Sequence, residues 1–255
     1  MYFNSLNWKI FKFEKVTSTM DVAKDIAEKI DHPIFVVTAQ AQSRGKGRKG
    51  RFWYSPEGGL WVTIVLRGVI PNTKIFMIPY LVAVATAETI NYYSCGKRVS
   101  IKWPNDILIE GKKVAGILID SRESCRCDFQ DVFIGIGINI NNPVGNRKDL
   151  RDTAISLSEV CKKEYNISEI LDFLLKKINI LLIEFIRKRS KPDKLFDLWK
   201  KFDITLGRKI SVDMEGKKII GRAVDIDYND GGLIFDIDGN VIKIYDYVSI
   251  RILEE

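Results

Sequence analysis

Residues 134–140 read Ile-Gly-Ile-Gly-Ile-Asn-Ile. A strand turns successive side chains to opposite faces. Ile134, Ile136, Ile138 and Ile140 therefore share one face, and Gly135, Gly137 and Asn139 share the other. Four isoleucines on one face demand a core against them. The glycines leave the opposite face without bulk, so something approaches the backbone there. A flat ligand and a packed helix both satisfy that requirement. The spacing is not G-x-G-x-x-G and no helix signal follows, which excludes a dinucleotide-binding turn.

Other segments supply the partners such a strand needs. Phe11–Val16, Ile34–Ala39, Gly59–Leu66, Ile107–Ile109 and Val114–Ile119 read as strands, the last two joined by a Glu110-Gly111 hairpin. Thr17 or Ser18 caps a helix whose Val22, Ala23, Ile26, Ala27 and Ile30 recur at helical spacing. A second helix covers Ile78–Tyr92, a third runs from a Ser168 cap to Lys188, and a short one spans Leu195–Phe202. Beyond it the period changes to two. Short strand runs alternate with Glu215-Gly216, Asp230-Gly231-Gly232 and Asp238-Gly239 turns, which reads as a small, five-stranded β unit. The class is α+β, with a boundary near residues 200–203.

Composition removes several functional classes. A length of 255 residues with 46% hydrophobic and 29% charged side chains excludes wholesale disorder. The net charge of +7 suits a nucleotide, a nucleic acid or an acidic protein without choosing among them. His32 is the single histidine and precedes Pro33 in a loop, so a multi-histidine metal site is impossible and a nucleophile–histidine site is disfavoured. Cys95, Cys125, Cys127 and Cys161 contain no C-x-x-C pair and read as reduced bystander thiols. Lys9, Lys12, Glu14 and Lys15 interrupt any apolar leader, and Ile75–Ala85 is too short to span a bilayer. A cytoplasmic location is the expectation.

Two further segments carry chemistry. Every residue from Arg44 to Arg51 is glycine or cationic. Glycines let backbone N–H groups approach an anion closely, and the five cations repel one another until an anion neutralises them. A solvated basic loop or an RNA-binding tract has the same charge, but Phe52-Trp53 adds a large apolar anchor directly after it. Lys102-Trp103-Pro104-Asn105-Asp106 leads into the hairpin, with Lys113-Val114-Ala115-Gly116 on its return strand. Asn and Asp at a strand start can bind a metal or orient an amine, and Lys113 can reach a carboxylate or phosphate. Turn chemistry with an exposed lysine is the plainer reading of each.

In combination these segments resemble the biotin protein ligases. Residues 45–53 are similar to that family's GRGRxGRxW motif, residues 102–106 match KWPND, residues 113–118 match K-[VL]-AGIL, and residues 135–139 match GxGIN. Lys46 replaces the family's second-position Arg, and Met20 stands where a Ser-Thr-Asn motif carries Asn. The resemblance implies a mixed sheet with flanking helices, of class II synthetase type, over residues 1–202, and an SH3-like β-barrel over 203–255. It implies an ATP-dependent reaction that converts biotin to biotinyl-5′-adenylate and transfers it to a lysine of a biotin carboxyl carrier domain. Arg48, Lys113 and Asp106 are then catalytic. Ser18, Thr19, Met20, Gln42, Gly45, Lys46, Gly47, Arg48, Lys113, Gly116, Gly135 and Gly137 hold biotin. Arg48, Arg51, Trp53, Asn105, Lys113 and Asn139 hold ATP or the adenylate, and Mg²⁺ binds through substrate phosphates with Asn139 or Asp106 as protein ligand. The pattern starts within the first twenty residues, so the expectation is a monofunctional enzyme without a DNA-binding domain; a homodimer is also expected. A lipoate-protein ligase of the same fold and a basic nucleic-acid-binding module are the rival readings. The first lacks the 45–53 motif, and the second leaves Lys113 and the glycine strand unexplained.

Overall fold

The structure is a computed structural model that describes residues 8–188, 190–214 and 216–253. Its larger sheet contains β1 (Lys9–Val16), β2 (Ile34–Gln42), β3 (Leu60–Pro71), β4 (Val99–Lys102), β5 (Asp106–Ile109), β6 (Lys112–Glu123) and β7 (Phe129–Ile138). Their order is β1-β2-β3-β7-β6-β5-β4. β1 and β2 run parallel and every other neighbouring pair is antiparallel, so the sheet is mixed. Glu110 and Gly111 both adopt left-handed backbone at the β5–β6 turn, the geometry that a tight hairpin requires.

The alternation along β7 is realised. Ile134, Ile136, Ile138 and Ile140 are buried in one large core with helices α2 (Ile78–Tyr93), α4 (Ile167–Leu181) and α5 (Pro192–Lys200). On the opposite face Phe133 joins Phe35, Val37 and Val65 beneath α1 (Thr19–Lys29). The sheet is thus covered on both faces, but α1 covers only part of its side. The site occupies the remainder.

The helix boundaries differ from expectation in ways that capping explains. Ser18, not Thr17, caps α1, accepting a hydrogen bond from the Met20 amide at 3.3 Å. Asn166 rather than Ser168 caps α4, accepting from the Ser168 amide at 3.0 Å. After Leu181 the helix continues to Arg187 with wider, i→i+5 winding, closed by Lys188 N–H donating to the Ile183 carbonyl. Asn72–Tyr93 forms 22 helical residues, twice the length of the apolar run, and is long and apolar enough to cross a membrane by length and composition. Its burial against the sheet accounts for that hydropathy. α3 (Leu157–Cys161) and β4 were not anticipated; a Ser156–Glu159 capping box starts α3.

The last strands are β8 (Lys209–Met214), β9 (Lys217–Ile226), β10 (Leu233–Ile237), β11 (Asn240–Ile244) and β12 (Ser249–Ile252). They form an antiparallel sheet of order β11-β10-β9-β8-β12, which fits an SH3-like unit. Glu215 of the Glu215-Gly216 turn lies outside the described residues. This sheet is fastened to the larger one. Ile101 N–H donates to Phe202 O at 2.8 Å, and Ile204 N–H donates to Ile101 O at 3.0 Å. Trp103 Nε1 donates to Tyr80 Oη at 2.8 Å, and Tyr80 Oη donates to Gly231 O at 2.6 Å. Burial pushes the Tyr80 phenol well above its ordinary value, so it stays a donor.

Tyr80→Phe leaves the Trp103 N–H and the Gly231 carbonyl without this partner. The expected cost is about 1–3 kcal/mol. A melting temperature equal to that of the unaltered protein would show that the bridge does not fasten the two sheets.

Candidate active site

The loop between β2 and β3 is a closed turn. Lys46 bridges Phe52, Gly47 N–H donates to Arg51 O at 2.7 Å, and Trp53 N–H donates to Gly45 O at 2.9 Å. Lys49 and Gly50 supply consecutive left-handed residues at its tip. Self-repulsion among the cations is offset by carboxylates from distant segments. Lys46 pairs with Asp21 on α1, and Lys49 and Arg48 pair with Asp246 after β11. The hydrogen bond from Lys49 holds the Asp246 carboxyl below the usual carboxylate value. Arg48 also lies over the Tyr247 ring, 4.1 Å from its centroid. Arg48 Nη1 is buried without a hydrogen-bond partner among the described residues.

Trp53 returns from this turn onto the floor formed by β6 and β7. A Cβ at Gly137 would stand 2.4 Å from Trp53 Nε1, and one at Gly116 would stand 3.0 Å from its Cζ3. These two residues face one another in the β6–β7 ladder. A Cβ at Gly135 would meet Met20 Sδ at 3.1 Å. Of the expected occupants of the glycine face, helix α1 supplies Met20 over Gly135, whereas the chain's own Trp53 ring, which neither reading anticipated, covers Gly137. Trp53 Nε1 is buried with no partner.

Around Thr19 and Gln42 the polar groups of the cavity are uncharged. Thr63 Oγ1 donates to Thr19 Oγ1 at 2.9 Å, and Thr19 N–H donates to Gln42 Oε1 at 2.7 Å. Gln42 Nε2 donates to Ser55 Oγ at 2.8 Å, which donates to Trp53 O at 3.0 Å. This chain fixes the orientation of the Gln42 amide. Sequence reasoning missed Thr63 and Ser55; Thr63's place on the glycine-side face of β3, opposite Gly135, was the available signal.

At the other end lies a charged cluster. Lys113 Nζ is 2.5 Å from Asp106 Oδ1, and Lys102 Nζ is 3.4 Å from Asp106 Oδ2. Burial pushes the Asp106 carboxyl up, but the two ammoniums outweigh it and leave the group below its ordinary value. Lys113 Nζ also sits 5.1 Å from the centre of the Trp53 ring. Asn105 Nδ2 donates to Ile117 O at 2.5 Å, and Tyr247 Oη donates to Asn105 Oδ1 at 3.4 Å.

One cavity of about 690 Å³ joins the two ends. Ser18, Thr19, Met20, Gln42, Lys46, Gly47, Arg48, Arg51, Trp53, Asn105, Asp106, Lys113, Gly116, Gly135, Gly137 and Asn139 all line it. Gly45 does not line it. A Cβ there would lie 2.3 Å from Trp53 O and 2.5 Å from Ser55 Oγ, so its role is to let the loop close. Asn139 is buried, with its Nδ2 donating to Ile155 O at 3.3 Å and its Oδ1 accepting from Asn142 at 3.0 Å. His32 is not among the lining residues. Tyr247 and Asp246 were absent from the expected site because nothing local to them carries a motif.

The comparisons agree with this geometry. The model of the biotin/lipoate A/B protein ligase family matches residues 11–139, which contain all four motifs. The bifunctional ligase/repressor BirA of Bacillus subtilis is 33% identical over 233 residues, spanning 90% of this chain and 70% of that protein. The biotin–[acetyl-CoA-carboxylase] ligase of Paracoccus denitrificans is 40% identical over 106 residues, 41% of this chain and 43% of that protein. The biotin protein ligase of Aquifex aeolicus, solved with biotin and ATP, superimposes with a TM-score of 0.80 at 27% identity, covering 96% of this chain and 99% of that one. On the family match and the length of the alignments, the chain belongs to the biotin/lipoate A/B protein ligase family, and its relatives place it among the biotin protein ligases.

Proposed function

We propose that this chain is an ATP-dependent biotin ligase that forms biotinyl-5′-adenylate and transfers the biotinyl group to a lysine of a biotin carboxyl carrier domain. The observation that carries the reading is the polarity of the cavity. Around Thr19 and Gln42 its polar groups are neutral and hydrogen-bonding, and around Lys102 and Lys113 it is cationic. Biotin has a matching polarity, with a neutral ureido ring at one end and a carboxylate at the other. The relative solved with both biotin and ATP supports the same assignment.

In the first step a carboxylate oxygen of biotin attacks the α-phosphorus of ATP, and pyrophosphate leaves. Two anions must approach one another, so the barrier falls if fixed cations face the encounter. Arg48 offers a buried Nη1 that has no hydrogen-bond partner among the described residues, and Lys113 lines the same cavity. Trp53, held over Gly116 and Gly137, presents a ring against which a base can stack. In the second step the acceptor amine attacks the acyl carbon of the anhydride, and AMP leaves. A free lysine titrates near 10.4, so only about one in 2,500 is neutral at pH 7. Asp106, kept ionised by its two lysines, suits an orienting role towards the incoming ammonium better than proton abstraction.

Neither expected protein ligand fits a resident magnesium ion. Asp106 is engaged by Lys102 and Lys113, and Asn139 Oδ1 accepts from Asn142. Among the described residues no group of three or more His, Cys, Asp or Glu side chains is placed to hold a metal. Magnesium is accordingly assigned to the nucleotide phosphates alone.

Biotin should support exchange of labelled pyrophosphate into ATP. Lipoate lacks the ureido group and would leave the Thr19–Gln42–Ser55 chain unmatched. A site built for hydrogen bonds rejects an analogue without them by roughly 10⁴-fold or more. Comparable exchange with lipoate would overturn the substrate assignment.

Lys113→Ala should slow adenylate formation by an amount on the order of 3 kcal/mol. Transfer from synthetic biotinyl-adenylate should fall far less, because the anhydride has already passed the carboxylate–phosphate encounter. Equal losses in the two assays would place Lys113 outside the first step.

A further inference from the structure

The thiols of Cys95 and Cys161 meet at the C-terminal end of α2, and neither lines the cavity. Cys95 is exposed in the turn after α2, and Cys161 closes α3 half-buried. Both thiols point at one carbonyl. Cys161 Sγ donates to Tyr93 O at 3.5 Å and Cys95 Sγ at 4.0 Å. Tyr165 Oη donates to the same oxygen at 2.7 Å and lies 3.5 Å from Cys95 Sγ. Both sulfurs thus lie within 4.0 Å of the Tyr93 carbonyl oxygen. The two residues are distant in sequence, so the fold, not a local turn, brings them together.

We propose that Cys95 and Cys161 are a site of reversible oxidative modification, closing to an intramolecular disulfide in the presence of a low-molecular-weight disulfide. The two sulfurs have different environments. Cys161 and Tyr165, whose protons can turn from the Tyr93 carbonyl to a Cys95 thiolate, hold the Cys95 thiol below its ordinary value, whereas burial pushes the Cys161 thiol up. An exposed thiol with enhanced thiolate character is the attacking group in thiol–disulfide exchange. Cys95 thiolate attacks one sulfur of glutathione disulfide, that S–S bond breaks, and one glutathione leaves and takes a proton. Cys161 then attacks the Cys95 sulfur of the mixed disulfide and displaces the second glutathione. Two thiols are oxidised and one glutathione disulfide is reduced to two thiols, so the exchange balances.

The position gives the bond a route to the site. The Leu157 and Ser158 amides at the start of α3 donate to Asn139 O at 3.1 Å and Ile140 O at 2.8 Å. A disulfide at the other end of α3 would tie the strand end that carries Asn139 to the end of α2.

The test is to equilibrate the full chain with glutathione disulfide, quench with acid, alkylate, and map tryptic peptides by mass spectrometry. Peptide 75–97 should appear joined to peptide 152–162, and dithiothreitol should separate them. In Cys161→Ser the resolving thiol is gone, so Cys95 should accumulate as the glutathione adduct. In the reduced protein iodoacetamide should label Cys95 several-fold faster than Cys125 and Cys127, which are also exposed. Three outcomes would overturn the proposal: Cys95 and Cys161 fully alkylated with no joined peptide, joined peptides that pair either residue with Cys125 or Cys127, or labelling of Cys95 no faster than of Cys125.

Discussion

A Cβ at residue 137 would stand 2.4 Å from Trp53 Nε1 and 2.8 Å from its Cε2, well inside van der Waals contact. The indole can therefore lie on the sheet only because β6 and β7 carry glycine at the facing positions Gly116 and Gly137. Much else follows from that seat. Trp53 ends the turn that starts at Gly45, so seating the ring positions Lys46, Arg48 and Arg51 at the cavity mouth. Its carbonyl accepts from Ser55, which orients Gln42 and through it Thr19. The same ring lies beneath the Lys113 ammonium. A missing side chain on a strand thus sets both the neutral and the cationic ends of the site.

Charge is handled by exchange of partners. Lys46 is held by Asp21, Arg48 and Lys49 by Asp246, and Lys113 and Lys102 by Asp106. The exposed pairs to Asp21 and Asp246 contribute little to stability, about 0–1 kcal/mol each. They keep a basic site compact without binding its cations strongly. A polyphosphate offers more negative charge at shorter range, so it can take these cations over from their carboxylates at small cost. The C-terminal sheet takes part through Asp246 and Tyr247, which gives the small β unit a position at the site and not merely beside it.

The parts of this arrangement that follow a period or a contiguous motif were legible in the sequence. The isoleucine–glycine alternation fixed both faces of β7, because a two-residue period admits one assignment of inside and outside. The all-glycine, all-cation run marked a loop that lines the cavity, and the aromatic residue after it marked the anchor. What the sequence did not disclose depends on contacts between distant segments. Asp21 and Asp246 were not recognisable as counter-charges, so the loop read as self-repelling. Asn139 read as a ligand residue and does line the cavity, but its ties to Ile155 and Asn142 were not legible. Gly45 read as a ligand contact, yet its place is beneath the Trp53 carbonyl. Four-residue β4 is too short for its period to register, and the Ser156–Glu159 capping signal before α3 was present but unread.

The most direct measurement is the pyrophosphate exchange activity of Gly137→Ala beside its melting temperature. The added methyl lifts the Trp53 ring and displaces the cations that follow it, and a misplacement of about 1 Å can cost on the order of 100-fold in rate. A loss of that size, with a melting temperature within a few degrees of the unaltered protein, is the expected result. Unchanged exchange, or a large fall in melting temperature with exchange intact, would contradict the account, because the glycine face would then be ordinary core.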